Sequence, residues 1–291
     1  MTRQIVVGID GSASALNATR WAAAEAAPRG TRLRLVHVRE LPLLLPPTDL
    51  YADELAAHGR KFLTAALAEA RAAAPGVEVW TELRTGRATE ELVDEADQAG
   101  LVVVGSRGLG GFRSLLLGSV ANALTAHGRC PVVVMRGRTA GAPPPAAGPV
   151  VVGADGTTAS TNALEFALDA AAARDVDVVA VHAWTYEGLV DGWPPAATAV
   201  HWDEIAVAQH RVFEEQLAAV RVHHPDVPVR SVHYRGRPVD GLLAHAEPAQ
   251  LVVVGAHGHH RTAAGSIGST SYAVLHHATC PVAVVGDQRW P

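Results

Sequence analysis

The most informative feature of this sequence is a glycine-rich segment with a fixed internal spacing. Gly105-Ser106-Arg107-Gly108 is followed by nine residues and then by Gly118-Ser119. The pattern predicts a buried strand before this segment and a helix at its end. Glycine lets backbone N–H groups approach a phosphate closely, and a helix N-terminus adds partial positive charge. The segment therefore predicts a phosphate-binding loop, in which the Ser119 hydroxyl can donate to a phosphate oxygen.

The same segment occurs again 150 residues later in the chain. Gly255-Ala256-His257-Gly258 is followed by nine residues and then by Gly268-Ser269. A bound ligand explains the retention of so long a spacing better than a turn does. The alternative is that the glycines only form turns and that Ser119 and Ser269 are helix N-caps.

Each copy also has an aspartate, followed by glycine, where its first strand is predicted to end. These residues are Asp10 and Asp155. In a sheet ordered 3-2-1-4-5, the first and fourth strands are neighbours, and ligands favour the crevice at their carboxyl ends. Asp10 and the loop that begins at Gly105 are therefore expected to face one crevice. The alternative role for Asp10 is to cap the first helix, for which Ser12 and Ser14 are also candidates.

The elements that must position these residues occur twice as well. The run from Ile5 to Gly11 recurs from Val150 to Gly156. In both copies, short runs of Val, Ile and Leu alternate with Ala-rich stretches of helical periodicity, which is typical of buried parallel strands covered by helices. The sequence therefore predicts an α/β fold with two doubly wound domains. Each is expected to be a five-stranded parallel sheet of order 3-2-1-4-5 with helices on both faces.

A segment rich in glycine, alanine and proline separates the two copies. This composition is typical of a linker. We therefore predict a first domain at residues 1–137, a linker at 138–148 and a second domain at 149–291.

The last strand of each domain, near residues 132–134 and 282–285, would be an apolar edge if it were left unpaired. We predict that these two strands pair antiparallel, which makes the chain an internal pseudo-dimer. Further association of two chains into a homodimer is left open.

The composition argues against several classes of function. The formal net charge is -5 with both signs interspersed, so no nucleic-acid partner is expected. The apolar runs are far shorter than the roughly 20 residues of a membrane span, and no secretory signal is recognised, which predicts a cytoplasmic protein without membrane contact. Lys61, the only lysine, lacks the setting of a P-loop. Cys130 and Cys280 are expected to be small core residues, not a disulfide.

Several of these blocks together resemble the ATP-binding universal stress proteins in their tandem arrangement. They are the strand that ends in aspartate, the block Val36-His37-Val38, the glycine segment and the Cys-Pro-Val strand that closes each copy. The resemblance covers nearly the whole chain twice. It implies that each domain binds ATP, with a divalent metal such as Mg²⁺, through the glycine segment.

The resemblance also assigns pocket residues. Those of the first pocket are Asp10, Val38, Gly105, Arg107, Gly108, Gly118, Ser119 and Val120. Those of the second pocket are Asp155, Ala183, Gly255, His257, Gly258, Gly268, Ser269 and Thr270. The second set has an alanine and a threonine at the positions of two valines, and a histidine at the position of an arginine. We therefore expect the second site to hold ATP less tightly.

The leading hypothesis is a nucleotide-responsive regulator in stress or dormancy adaptation, with an unidentified protein partner and at most slow ATP hydrolysis. One alternative is an adenylyl-transferring or ATP-hydrolysing enzyme of related fold, and another is a scaffold that has lost its ligand. No dedicated metal site is expected among the histidine clusters, such as His257, His259 and His260, because adjacent residues usually point apart.

Overall fold

Short runs of valine, isoleucine and leucine form the centre of the sheet and are buried on both faces, as strands covered by helices require. The computed structural model describes residues 4–40, 49–106, 108, 117–139, 141–184, 202–258 and 266–288. The strands of these residues are β1 (Ile5–Gly8), β2 (Leu33–Arg39), β3 (Val79–Thr85), β4 (Leu101–Gly105), β5 (Val132–Met135), β6 (Val150–Gly153), β7 (Val178–Trp184), β8 (Val229–Arg235), β9 (Leu251–Gly255) and β10 (Val282–Val285). Their helices are α1 (Ala13–Arg29), α2 (Asp49–Ala73), α3 (Ala88–Ala96), α4 (Ser119–His127), α5 (Thr158–Ala172), α6 (Trp202–Arg221), α7 (Pro238–Ala246) and α8 (Ser269–His277).

All of these strands belong to one sheet of order β3-β2-β1-β4-β5-β10-β9-β6-β7-β8. Each half has the predicted order 3-2-1-4-5 and is parallel throughout. Strands β5 and β10 pair antiparallel, with Val133 opposite Ala283. The predicted α/β fold and the predicted joint between the two halves are both confirmed.

Helices cover both faces of the sheet, and each face has a core with residues from both halves. One core includes Leu63 of α2, together with Phe166 of α5 and Phe213 of α6. The other includes Leu92 of α3 and Leu242 of α7. The two halves therefore share continuous cores as well as a continuous sheet. No helix in the described part of the chain combines the length and apolarity that crossing a membrane requires.

A buried ion pair also connects the two halves. Glu25 of α1 is only 2% exposed, and its Oε1 lies 2.7 Å from Arg29 Nη1. Its other carboxylate oxygen accepts a hydrogen bond from Arg174 of the second half, whose guanidinium lies 5.1 Å from the ring centroid of Trp21. Arg29 and Arg174 are equivalent positions of the sequence repeat, whereas the equivalent of Glu25 is Ala170. One carboxylate thus serves both arginines.

The connection between β5 and β6 is held by hydrogen bonds at two places. Asn17 Nδ2 donates to the carbonyl oxygens of Gly141 (3.0 Å) and Ala142 (2.8 Å). Gln250 Nε2 donates to the carbonyl oxygen of Gly148 (2.7 Å). The proposed domain limits remain a prediction, but the segment between the halves is fastened to both of them.

Both cysteines are buried and do not form a disulfide, as expected from the sequence. Burial raises the pKa of the Cys280 thiol to about 12. The thiolate is the reactive form, so little of it is present in the folded protein near neutral pH. In a Cys130→Ala variant, we expect Cys280 to resist a disulfide-exchange reagent at about pH 8 until denaturant is added. Labelling of the folded variant as fast as the denatured one would contradict this expectation.

Candidate functional site

A cavity of about 480 Å³ lies at the carboxyl ends of β1, β2 and β4. Its apolar wall includes Val36 and Val38 of β2, Leu92 of α3, and Leu117 and Val120 near the start of α4. Its volume is within the roughly 300–1,000 Å³ typical of small-molecule sites. The cavity lies where the sequence places the ligand crevice, between the first and fourth strands of the half.

The predicted first-pocket residues that the structure describes all line this cavity. They are Asp10, Val38, Gly105, Gly108, Gly118, Ser119 and Val120. Arg107 lies outside the described residues. The structure therefore brings these residues together, and their role in binding a ligand stays a prediction.

Asp10 faces the glycine segment from the end of β1. Its Oδ1 accepts a hydrogen bond from the backbone N–H of Ser12 (2.9 Å). A Cβ atom at Gly108 would lie only 2.5 Å from Asp10 Oδ2, so a side chain at this position would displace the carboxylate. The cap of α1 is Ser12, whose Oγ accepts from the N–H of Ala15 (3.1 Å). Asp10 thus supports the turn before the helix and leaves Oδ2 beside the loop.

The N-cap of α4 is Gly118, so the expected alternative role of Ser119 as a cap is wrong. Gly118 is extended and its N–H donates to the carbonyl oxygen of Ser106 (2.8 Å). Ser119 is the first helical residue and is exposed. Glycine is an accepted N-cap that has no side chain to bond the first N–H groups of the helix. The first turn of α4, including Ser119, lines the cavity.

The second half repeats much of this arrangement. Asp155 Oδ1 accepts hydrogen bonds from both the N–H (3.0 Å) and the hydroxyl (2.6 Å) of Thr157. A Cβ atom at Gly258 would lie 3.1 Å from Asp155 Oδ2. Gly268 is the N-cap of α8, and its N–H donates to the carbonyl oxygen of Ala256 (2.8 Å). The aspartate, the loop and the helix start are therefore adjacent here as well.

The other predicted residues of the second half take the expected places along the chain. Gly255 ends β9, Ala183 lies near the end of β7, and Ser269 and Thr270 begin α8. As with Ser119, the first helical position of Ser269 rules out its alternative role as an N-cap. Nδ1 of His257 is buried and has no hydrogen-bond partner among the described residues.

Two polar residues of the first cavity were missed by the sequence analysis as ligand candidates. His37 Nδ1 donates to the carbonyl oxygen of Ile9 (2.6 Å), which fixes the ring at the cavity wall. Glu40 Oε1 accepts from the N–H of Ala88 (2.8 Å) at the start of α3. Glu40 follows β2 at the edge where Asp10 follows β1, and that shared edge is the signal that could have identified it.

Comparisons with known proteins agree with this architecture. The sequence model of the universal stress protein family matches residues 1–136 and 147–286. A universal stress protein of Mycobacterium tuberculosis (strain ATCC 25618 / H37Rv) is 38% identical over 294 residues, which cover 97% of this chain and 96% of that protein. One of Mycolicibacterium smegmatis (strain ATCC 700084 / mc(2)155) is 35% identical over 288 residues, which cover 97% and 96%. A crystal structure of a universal stress protein from Archaeoglobus fulgidus DSM 4304 has the same fold, with a TM-score of 0.71 at 21% identity, covering 98% of this chain and 96% of that chain.

Proposed function

Since the chain belongs to the universal stress protein family as two tandem domains, we propose that each domain binds ATP with Mg²⁺ and that the chain is a nucleotide-responsive regulator. The observation that carries this proposal is the cavity of about 480 Å³ in the first half. It combines an apolar wall with a glycine-capped helix N-terminus. These are the two surfaces that a purine and a polyphosphate need.

In this proposal the adenine packs against the apolar wall of the cavity, which includes Val38 of β2 and Leu92 of α3. The phosphates bind at the start of α4. There the N-cap Gly118 makes no side-chain hydrogen bond to the first turn. Backbone N–H groups and the helix dipole favour an anion at such a position. Ser119 adds a hydroxyl donor.

Mg²⁺ is part of the proposal because the cavity already contains negative charge. Asp10 and Glu40 both line it. A triphosphate beside these carboxylates would be repelled unless a cation lay between them. Carboxylate and phosphate oxygens are the ligands that Mg²⁺ prefers. We therefore expect ATP to bind more weakly when Mg²⁺ is removed.

Regulation is favoured over rapid catalysis by the residues around the cavity. Lys61, the only lysine of the sequence, does not line it, so no catalytic lysine is available there. Rapid phosphoryl transfer requires positive groups that stabilise the charge of the transition state. Slow hydrolysis in the presence of Mg²⁺ is compatible with this lining. In the proposed role, ATP binding changes the surface of the glycine segment. A cytoplasmic protein partner then recognises this change in stress or dormancy adaptation.

The proposal predicts two ATP molecules per chain, with the first site the tighter. Gly118→Glu places an anion where the phosphates are expected, so it should abolish the first site, and Gly268→Glu should abolish the second. A Cβ atom at Gly268 meets only ordinary contacts, so the second variant is expected to fold. Native mass spectrometry of the full chain with Mg²⁺ and ATP counts the bound nucleotides.

Gly76→Glu is the matched control, because it adds the same side chain at an exposed position with open space around it. It should retain two nucleotides, while each site variant retains one. Absence of ATP from the parent chain would overturn the proposal and leave the scaffold alternative. Release of AMP and pyrophosphate would instead support the adenylyl-transfer alternative.

A further inference from the structure

Three side chains with metal-binding atoms meet on the second half of the chain. His210 and Glu214 are four residues apart on α6, so they lie on the same side of this helix. His233 lies on β8, which is the outer strand of the sheet. One ligand atom of each residue lies within 4.8 Å of those of the other two.

The distances are close to those of a metal site. His233 Nε2 lies 3.3 Å from Glu214 Oε1. Ligand atoms of a tetrahedral zinc ion, at bonds of about 2.0–2.1 Å, are about 3.4 Å apart. The rings of His210 and His233 are in contact, with centroids 3.7 Å apart. Two imidazoles on one tetrahedral ion have ring centres about 5 Å apart, so the His210 ring must turn away from His233 for both to bind. His210 is exposed, so its side chain can rotate to complete the set.

We propose that His210, Glu214 and His233 bind a divalent transition-metal ion of the zinc type, with water as the fourth ligand. Two imidazoles and one carboxylate are a ligand set that zinc uses when one position is left to water. The accessible His210 side of the cluster provides both the entry path and the place for this water. A bound ion would link α6 to the outer strand β8.

A further imidazole lies beside His233. His182, opposite His233 in the neighbouring strand, donates from Nδ1 to the carbonyl oxygen of Ala154 (2.9 Å), which fixes a second imidazole nearby.

The first half has no equivalent of this set. Strands β3 and β8 take the same place in their halves, and their residues correspond at an offset of 150. At that offset the positions of His210, Glu214 and His233 are occupied by an arginine, a threonine and a leucine in the first half. The fold therefore forms without these ligands, and the chain should bind one ion of this kind, not two.

The test uses the full chain, free of any affinity tag and stripped of metal with a chelator. Titration with Zn²⁺ in a calorimeter should give one site per chain in the absence of nucleotide. His210→Gln and Glu214→Gln should each weaken the Zn²⁺ affinity by more than about tenfold. Loss of a residue that only hydrogen-bonds a metal ligand already lowers the affinity by about that factor. His223→Gln, which changes an exposed histidine outside the cluster, should bind Zn²⁺ like the parent.

Co²⁺ gives an independent readout of the ligand geometry. The parent should show the intense visible absorption of tetrahedral Co²⁺, and both cluster variants should lose it while keeping the thermal melting profile of the metal-free parent. Unchanged zinc affinity in His210→Gln and Glu214→Gln would overturn the proposal. So would a parent chain that binds neither ion, in which case the contact between Glu214 and His233 is only a hydrogen bond.

Discussion

Glu25→Gln should lower the free energy of unfolding by about 3–5 kcal/mol, the usual cost of removing one partner from a buried ion pair. The carboxylate is almost fully buried and interacts with Arg29 of its own helix and with Arg174 of the other half. Glutamine keeps the shape of the side chain but leaves two guanidinium groups beside it without the charge they shared. Urea unfolding, followed by circular dichroism, measures the change.

The matched control is Glu69→Gln. Glu69 makes an equally short ion pair with Arg20, at 2.7 Å, but both partners are substantially exposed. An exposed pair contributes only about 0–1 kcal/mol. If both variants lost the same small amount, the buried pair would not be a stabilising link between the halves.

Gly148→Ala should destabilise the chain by about 3 kcal/mol or more, because it combines a strained backbone with a steric overlap. Gly148 has φ +108, a conformation that residues with a Cβ atom rarely adopt. Its added Cβ would also overlap the carbonyl oxygen of Pro248. Relieving the overlap would pull the linker away from Gln250, whose side chain bonds the Gly148 carbonyl. Thermal and urea unfolding both report this loss.

Gly156→Ala separates the two causes. Gly156 has a similar φ of +86, but no atom lies within 4 Å of the added Cβ. This variant should therefore lose only the stability that the strained backbone conformation costs, about 1–2 kcal/mol. Equal losses in the two variants would show that the linker moves freely and that its contact with Pro248 is not a constraint.

The fold could be predicted from the sequence because each level of the pattern agreed with the next. The apolar runs gave strands, their parallel pairing followed from the Ala-rich helices between them, and the apolar runs near residues 132 and 282 required a partner. The Glu25 link could not be predicted. The counterpart of Glu25 in the second repeat is Ala170, so a comparison of the two repeats does not indicate that Glu25 pairs with Arg174.

The first cavity was predictable to a similar degree. Gly105 ends β4 and Asp10 follows β1, and the two meet because the carboxyl ends of parallel strands share one edge. The cap of α4 was not predictable from residue preference, because serine is a favoured N-cap and yet Gly118 takes that place. Neither was the cluster of His210, Glu214 and His233. The helical spacing of its first two members is visible in the sequence, but the contact with β8 depends on how α6 packs.

The antiparallel joint between β5 and β10 has a consequence for any molecule that approaches this protein. In a parallel sheet, the carboxyl ends of the strands lie at one edge, and here the joint reverses the direction of the second half. The cavity beside Asp10 and the corresponding region beside Asp155 therefore open in opposite directions. A flat surface docked against one of them leaves the other accessible. If both sites bind nucleotide as proposed, a partner that distinguishes one filled site from two must either reach around the sheet or detect a change carried through the joint itself.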